Sequence, residues 1–114
     1  MTATGLLSQA QAVLDGAAPG RNRMACWIAR SALEDAVRAR LEDRGLNAGD
    51  GSMRSLLTCF EVAYATDPQL VDSATHAWAG LSNACHHHAF ELAPTAVEAQ
   101  RLIDTVHRIA AAPD

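Results

Sequence analysis

The sequence predicts an all-α protein, an up-and-down antiparallel four-helix bundle with one additional short helix, formed by a single domain over residues 1–114. Apolar residues recur at helical spacing in five segments. Aromatic residues make up only 4% of a chain that is 49% hydrophobic. No segment alternates with period two for long enough to indicate a strand. A chain of this size and apolar content can bury an ordinary core.

The first three helices are predicted from apolar periodicity and from the residues that begin each segment. The first covers about residues 4–15. The second covers about residues 22–44, with Asn22 as its N-cap. The third covers residues 53–64, after Ser52, whose hydroxyl suits the N-cap position. Glycine-rich connections separate them, which indicates short loops between neighbouring helices.

Proline and capping residues delimit the last two helices. Asp67-Pro68 combines an N-cap with a proline at the first helical position, where its missing N–H costs no hydrogen bond. The apolar stripe continues to Leu92 and Pro94 interrupts it, so the fourth helix is predicted over residues 68–92. The stretch Thr95-Ala96-Val97-Glu98 has the pattern of a capping box and opens the fifth helix.

Charge and composition exclude several classes of function. The chain has 13 acidic residues against 9 basic ones and a net charge of −4, which argues against general binding of duplex DNA, because phosphate affinity grows with the number of cations. It has no apolar run of about 18 residues, so no membrane span is expected. The N-terminus lacks a basic segment followed by an apolar stretch, so no secretory signal is expected. Three cysteines without a C-x-x-C pair do not form a disulfide framework, which favours a cytoplasmic location.

The run Cys85-His86-His87-His88 is the most unusual feature of the sequence. Consecutive residues on a helix point about 100° apart, so these histidines cannot converge on one metal ion. A metal site would combine His87 and Glu91 with a further histidine, and this remains an alternative. His88 falls on the apolar stripe, where a neutral histidine hydrogen-bonded to a neighbouring helix is the structural interpretation. We therefore predict neither a metal ligand nor a cofactor.

Charged residues of the second helix form a candidate anion site. Arg30 and Glu34 lie four residues apart, as do Glu34 and Arg38, which is also the pattern of a solvated helix face. Arg23 lies near the positive end of the helix dipole, where a cation favours the binding of an anion. Trp27 is expected to be a core anchor between helices, like Trp78 of the fourth helix.

Two segments carry a family resemblance. Residues 29–34 (ARSALE) of the second helix and residues 81–92 (LSNACHHHAFEL) of the fourth together resemble the HEPN superfamily, in particular its small actinobacterial members. The resemblance implies a four-helix bundle that forms a homodimer and, in many members, a metal-independent RNase. The family motif is an arginine, usually followed by a polar residue, with a histidine four to six residues after the arginine.

Transferred to this sequence, the resemblance implies His88 as the motif histidine and Asn83 as the polar residue, with Ser82 at the arginine position. His86 and His87 are further candidates for the catalytic base. The motif arginine is absent, and Arg30 is the nearest substitute by analogy. An RNase needs both a base and a cation that stabilises the charged phosphorane.

Three functions follow, in order of preference. The first is a HEPN-like bundle that dimerises and binds a protein, nucleotide or RNA partner without catalysis. The second is an RNase of the toxin or defence type that uses the late-helix histidines. The third is a metal-binding bundle.

Overall fold

The longest helix, α2, is the centre of the molecule and packs against each of the other helices. The computed structural model describes residues 2–47, 49, 51–86 and 92–111. Within them the chain forms α1 (Ala3–Asp15), α2 (Arg21–Asp43), α3 (Met53–Ala63), α4 (Pro68–Cys85) and α5 (Ala96–Ala111). Helix α5 also contacts α1 and α4, and α3 contacts α4. The prediction of an all-α protein is confirmed, as a compact assembly of five helices with extensive contacts between them.

Local side-chain caps begin four of the helices. The Thr2 side chain accepts a hydrogen bond from the Gly5 N–H of α1, and Ser52 accepts one from the third residue of α3. The carboxylate of Asp67 accepts from the Leu70 N–H at 3.2 Å, ahead of the proline that opens α4. The Thr95 hydroxyl accepts from the Glu98 N–H at 3.1 Å, as the capping-box pattern predicts.

The start of α2 differs from the prediction. The N-cap is Gly20, in the left-handed conformation with φ of 73°, and it provides no side-chain hydrogen bond. Asn22 instead lies inside the first turn of α2, and its Nδ2 donates to the Pro94 carbonyl at 3.1 Å. The side chain expected to cap the helix therefore ties α2 to the segment that precedes α5.

Helix α4 ends at Cys85, seven residues before the predicted end at Leu92. His86 is extended, with φ of −72° and ψ of 133°, although its N–H still donates to the carbonyls of Ser82 and Asn83. Arg23 of α2 donates from Nη1 to the His86 carbonyl at 2.7 Å. A tertiary contact thus satisfies the carbonyl where the helix ends, and no breaker residue marks this position in the sequence.

The core follows the apolar stripes of all five helices. Cys26, Ala29, Leu33, Val37 and Leu41 of α2 are buried, as helical spacing predicts, whereas Met24, which was expected to widen this stripe, is exposed. Trp27 is not the core anchor that was expected, since 52% of it is exposed. It lies on the outward side of α2 with Met24, while Trp78 of α4 is partly buried against the core. No described helix is both long and apolar enough to cross a membrane.

A buried arginine joins α2 to the end of α5. Arg40 is only 6% exposed, and its Nε donates to the Ile109 carbonyl at 3.1 Å, with Nη2 3.5 Å from the Ala110 carbonyl. The Tyr64 hydroxyl in turn donates to the Arg40 carbonyl at 2.8 Å. The last turn of a helix has unpaired carbonyls, and a cation there is favourable. Arg40 therefore caps α5 from a different helix.

Candidate functional site

The predicted site residues are distributed over two places in the fold. Asn83 and His86 lie at the C-terminal end of α4, and both are exposed. The other two candidates for catalysis, His87 and His88, lie outside the described residues, as does Glu91. The predicted anion-binding residues Arg23, Arg30 and Glu34 belong to α2.

The three predicted anion-binding residues do not converge on one point. Arg23 is engaged by the carbonyl of His86 at 2.7 Å. Glu34 pairs with Arg38 through Oε2 and Nη1 at 3.6 Å, as one of the two predicted four-residue pairs. Arg30 forms no ion pair with Glu34 among the described residues and lies over the ring of Trp78, with its guanidinium carbon 4.4 Å from the ring centroid. Aromatic stacking therefore replaces the second predicted ion pair.

Two thiols lie at the contact between α2 and α4. The pKa of the Cys26 thiol is raised to about 11, chiefly by burial and also by the neighbouring Cys85 and Glu98, against the opposing effect of Arg23. Burial also raises the pKa of Cys85, opposed by the guanidinium groups of Arg30 and Arg23. Both groups are neutral thiols at pH 7, and neither is an activated nucleophile.

A groove of about 520 Å³ lies between the C-terminal half of α4 and α5. Its floor is apolar, formed by Gly80, Ala84 and Leu102. At Gly80 the helices come so close that an added Cβ would lie 2.9 Å from Cδ2 of Leu102. The walls carry ionisable and amide side chains from both helices and from the end of α4: His76, Asn83, His86, Glu98, Arg101, Asp104 and Arg108.

The groove brings together two predicted site residues and two arginines that were not predicted. Asn83 and His86 line it at the end of α4, whereas Arg101 and Arg108 line it from α5. The two arginines are two turns apart and exposed, and the Arg108 Nη2 donates to the Thr105 hydroxyl at 3.1 Å. A signal was present in the sequence, because residues seven apart on a helix share a face. The packing of α5 beside α4 is what turns this face toward the groove.

The described residues contain no cluster of three or more histidine, cysteine or acidic side chains with the geometry of a metal site. The metal hypothesis names His87 and Glu91, which lie outside that set. The metal site therefore stays a prediction from the sequence.

A second exposed feature surrounds Trp27. Trp27 and Met24 are 52% and 55% exposed and lie between two hollows. The hollow toward α1, of about 350 Å³, is lined by Leu6, Ile28 and Ser31 together with the two exposed residues. The hollow toward the start of α2, of about 370 Å³, is lined by Arg21 and Arg23 together with the two exposed residues. We call Leu6, Met24, Trp27 and Ile28 the Trp27 face.

Comparison with known proteins adds no relative: neither a family model nor a curated protein nor a solved structure matches this chain.

Proposed function

We propose that this chain is a non-catalytic helical binding protein, of HEPN-like up-and-down topology, whose ligand presents phosphate groups to the groove between α4 and α5. The observation that carries the proposal is the pair of exposed guanidinium groups, Arg101 and Arg108, along a groove of about 520 Å³ that Asn83 and His86 also line. We propose a nucleotide or a short single-stranded RNA as the ligand, and the cytoplasm as the location.

The two guanidinium groups of the groove support an anionic ligand. Arg101 and Arg108 line its α5 wall, where the carboxylates of Glu98 and Asp104 also lie, so the phosphate contacts are assigned to the two arginines alone. Two exposed imidazoles, His76 and His86, add hydrogen-bond donors and acceptors. Arginine binds phosphate through two parallel N–H donors. A concave site with a few convergent polar groups over an apolar floor is the usual form of a ligand site.

Binding without catalysis is supported by the residues at the motif positions. Ser82 stands where the family resemblance requires an arginine, and the hydroxyl oxygen of Ser82 is buried. Arg30, the substitute for that arginine by analogy, stacks on the Trp78 ring. A site that lacks a preorganised cation loses about 10²–10³ in rate.

The test measures the binding of a short fluorescent single-stranded RNA by fluorescence anisotropy, in EDTA and at low salt. We expect Arg101→Ala and Arg108→Ala each to weaken binding about fivefold to tenfold, since each removes one phosphate contact. The matched control is Arg54→Ala, which removes the same charge from the exposed surface of α3 and should change affinity less than twofold. Equal affinities of all four proteins, or no binding by the wild type, would contradict the proposal.

One observation favours RNA cleavage as the second candidate. The Arg23 guanidinium stands 2.7 Å from the carbonyl of His86, so a cation from α2 lies beside the first residue of the histidine run. In the same EDTA reactions, gel analysis of the RNA separates the two functions. RNA that stays intact supports binding alone, whereas cleavage that disappears in both His88→Ala and Arg23→Ala, and persists in Arg54→Ala, establishes the RNase.

A further inference from the structure

We propose that Asp104 of α5 accepts a hydrogen bond from a ribose 2′-hydroxyl, so that the groove between α4 and α5 selects single-stranded RNA over single-stranded DNA. The inference rests on the proposed function, and it adds the residue that determines which nucleic acid is bound. Three side chains of the α5 wall carry the argument: Arg101, Asp104 and Arg108.

Asp104 lies between the two arginines along the wall of the groove. Arg101, Asp104 and Arg108 are spaced by three and four residues, so they share one face of α5. Seven residues of helix rise about 10 Å, so the two guanidinium groups reach different phosphates rather than the same one. Glu98, the other carboxylate of this wall, precedes Arg101 and lies outside that interval.

The carboxylate of Asp104 is not paired with the neighbouring arginines. Among the described residues it forms no ion pair with either Arg101 or Arg108, although the helical spacing would allow both. Its Oδ1 accepts a hydrogen bond from Nε2 of Gln100 at 2.9 Å, and no described residue donates to its Oδ2. One oxygen of this exposed carboxylate is therefore available to a ligand.

A network of amide groups fixes the orientation of this carboxylate. Gln100 and Gln11 of α1 exchange two hydrogen bonds of 2.8 Å, in which each amide nitrogen donates to the other amide oxygen. Gln11 also donates to Asp15 at 3.0 Å, and Gln100 also donates to Asp104. Both N–H groups of each amide are thereby used, which leaves the Gln100 side chain one orientation. Gln100 is therefore a positioning residue that acts through Asp104.

Arg108 is held in a similar way. Its Nη2 donates to the Thr105 hydroxyl at 3.1 Å, and that hydroxyl donates to the Arg101 carbonyl at 2.9 Å. The wall thus presents a positioned cation beside a positioned acceptor before any ligand binds. Such preorganisation reduces the side-chain entropy that is lost on binding.

A hydrogen-bond donor between two phosphates is the ligand group that matches this wall. A carboxylate accepts hydrogen bonds and cannot donate them, and it repels a phosphate that approaches it directly. In a strand of RNA, each ribose places a 2′-hydroxyl between two successive phosphates, and this hydroxyl is what distinguishes RNA from DNA. The order cation, acceptor, cation along α5 therefore corresponds to phosphate, hydroxyl, phosphate along RNA. A DNA strand would leave the carboxylate beside two phosphates with no compensating donor.

The extent of the groove favours a strand over a single nucleotide. A further hollow of about 620 Å³ continues from the groove, and both are lined by His76, Thr105 and Arg108. A ligand that contacts Arg101 and Arg108 can therefore extend beyond Arg108, as the chain of an oligonucleotide does.

The test compares matched fluorescent oligonucleotides by fluorescence anisotropy, in EDTA and at low salt. The three probes are a single-stranded RNA, the DNA of the same sequence with uracil bases, and the 2′-O-methyl RNA, which has no hydroxyl to donate. We expect the wild type to bind the RNA about tenfold more tightly than either of the other two, as for one hydrogen bond to a charged acceptor.

Variants of the wall separate recognition of the sugar from recognition of the phosphates. Asp104→Ala should reduce the preference for RNA to less than about twofold, by weakening RNA binding and leaving DNA binding unchanged or tighter, since both the acceptor and the repulsion are removed. Gln100→Ala should reduce the preference about threefold, because the carboxylate is no longer held in one orientation. Arg101→Ala should weaken the binding of all three probes by similar factors and keep the preference. The matched control Asp43→Ala removes the same charge from the exposed end of α2 and should leave the preference unchanged.

The outcomes distinguish this inference from the proposed function. Equal affinities of the wild type for RNA and DNA would overturn the inference and leave the proposed function in place, since phosphate binding requires no ribose hydroxyl. A preference that persists in Asp104→Ala would also overturn the inference and would assign the discrimination to another group of the groove. Binding of none of the probes by the wild type contradicts the proposed function, and the inference with it. Circular dichroism verifies that each variant is folded.

Discussion

Replacing Arg40 by methionine tests whether the end of α5 depends on a cap from another helix. The guanidinium group is nearly inaccessible to water and donates to the carbonyls of Ile109 and Ala110. Hydrogen bonds from a charged donor contribute about 1.5–3 kcal/mol each, and the substitution leaves these carbonyls without that donor. Methionine keeps most of the packing of the aliphatic stem and removes the desolvation cost of the charge, which offsets part of the loss.

The net expectation is a decrease of about 2 kcal/mol in the free energy of unfolding, or about 8 °C in Tm for a chain of this length. Urea unfolding followed by far-UV circular dichroism measures it, with an unchanged m-value as the sign of two-state behaviour. The matched control is Arg108→Met, at an exposed arginine in the last turn of α5, which should cost about 0.5 kcal/mol or less. A loss below about 0.5 kcal/mol in Arg40→Met, or equal losses in the two variants, refutes the cap as a source of stability.

Three further predictions concern the contacts between helices. Asp35→Ala removes the carboxylate that accepts a hydrogen bond from the first N–H of α1 at 2.7 Å. The substitution should lower the free energy of unfolding by about 1 kcal/mol in urea titrations. An unchanged urea midpoint would show that water replaces the carboxylate as acceptor. Gly80→Ala should raise the free energy of unfolding by about 0.5 kcal/mol, because the gain in helix propensity exceeds the cost of displacing the end of the Leu102 side chain. A lower urea midpoint than that of the wild type would show that this side chain cannot move. Cys26, whose pKa is raised to about 11, should resist alkylation at pH 8 while the exposed Cys59 reacts. Because the folded pKa of Cys26 lies above the unfolded value of 9.0, the free energy of unfolding should fall from about pH 9 to 11 in the wild type and not in Cys26→Ala.

Helix identity and several helix starts could be predicted because they depend on neighbours in the chain. The caps at Ser52, Asp67 and Thr95 are side chains that bond to an N–H three residues later. This interaction is complete within one turn of helix, so the sequence contains all of its parts. The buried stripe of α2 was predictable for the same reason, since helical spacing alone defines one face.

The candidate site was predicted only in part. Asn83 and His86 do line the groove between α4 and α5, but the two arginines of this groove come from α5. The predicted substitute for the missing cation was Arg30 of α2, which stacks on Trp78 instead. Which helix faces α4 at this point is a property of the packing, and periodicity within one helix contains no information about it.

Capping and spacing over a few residues are enough to predict that this chain is helical, where most helices begin and which stripe of each is apolar. Packing between the helices accounts for the remaining features. It ended α4 at Cys85 beside Arg23, buried the guanidinium of Arg40 at the end of α5, and left Trp27 exposed on the outward side of α2. Each of these outcomes depends on which other helix supplies or withholds a contact, and such contacts join residues that are distant in the chain.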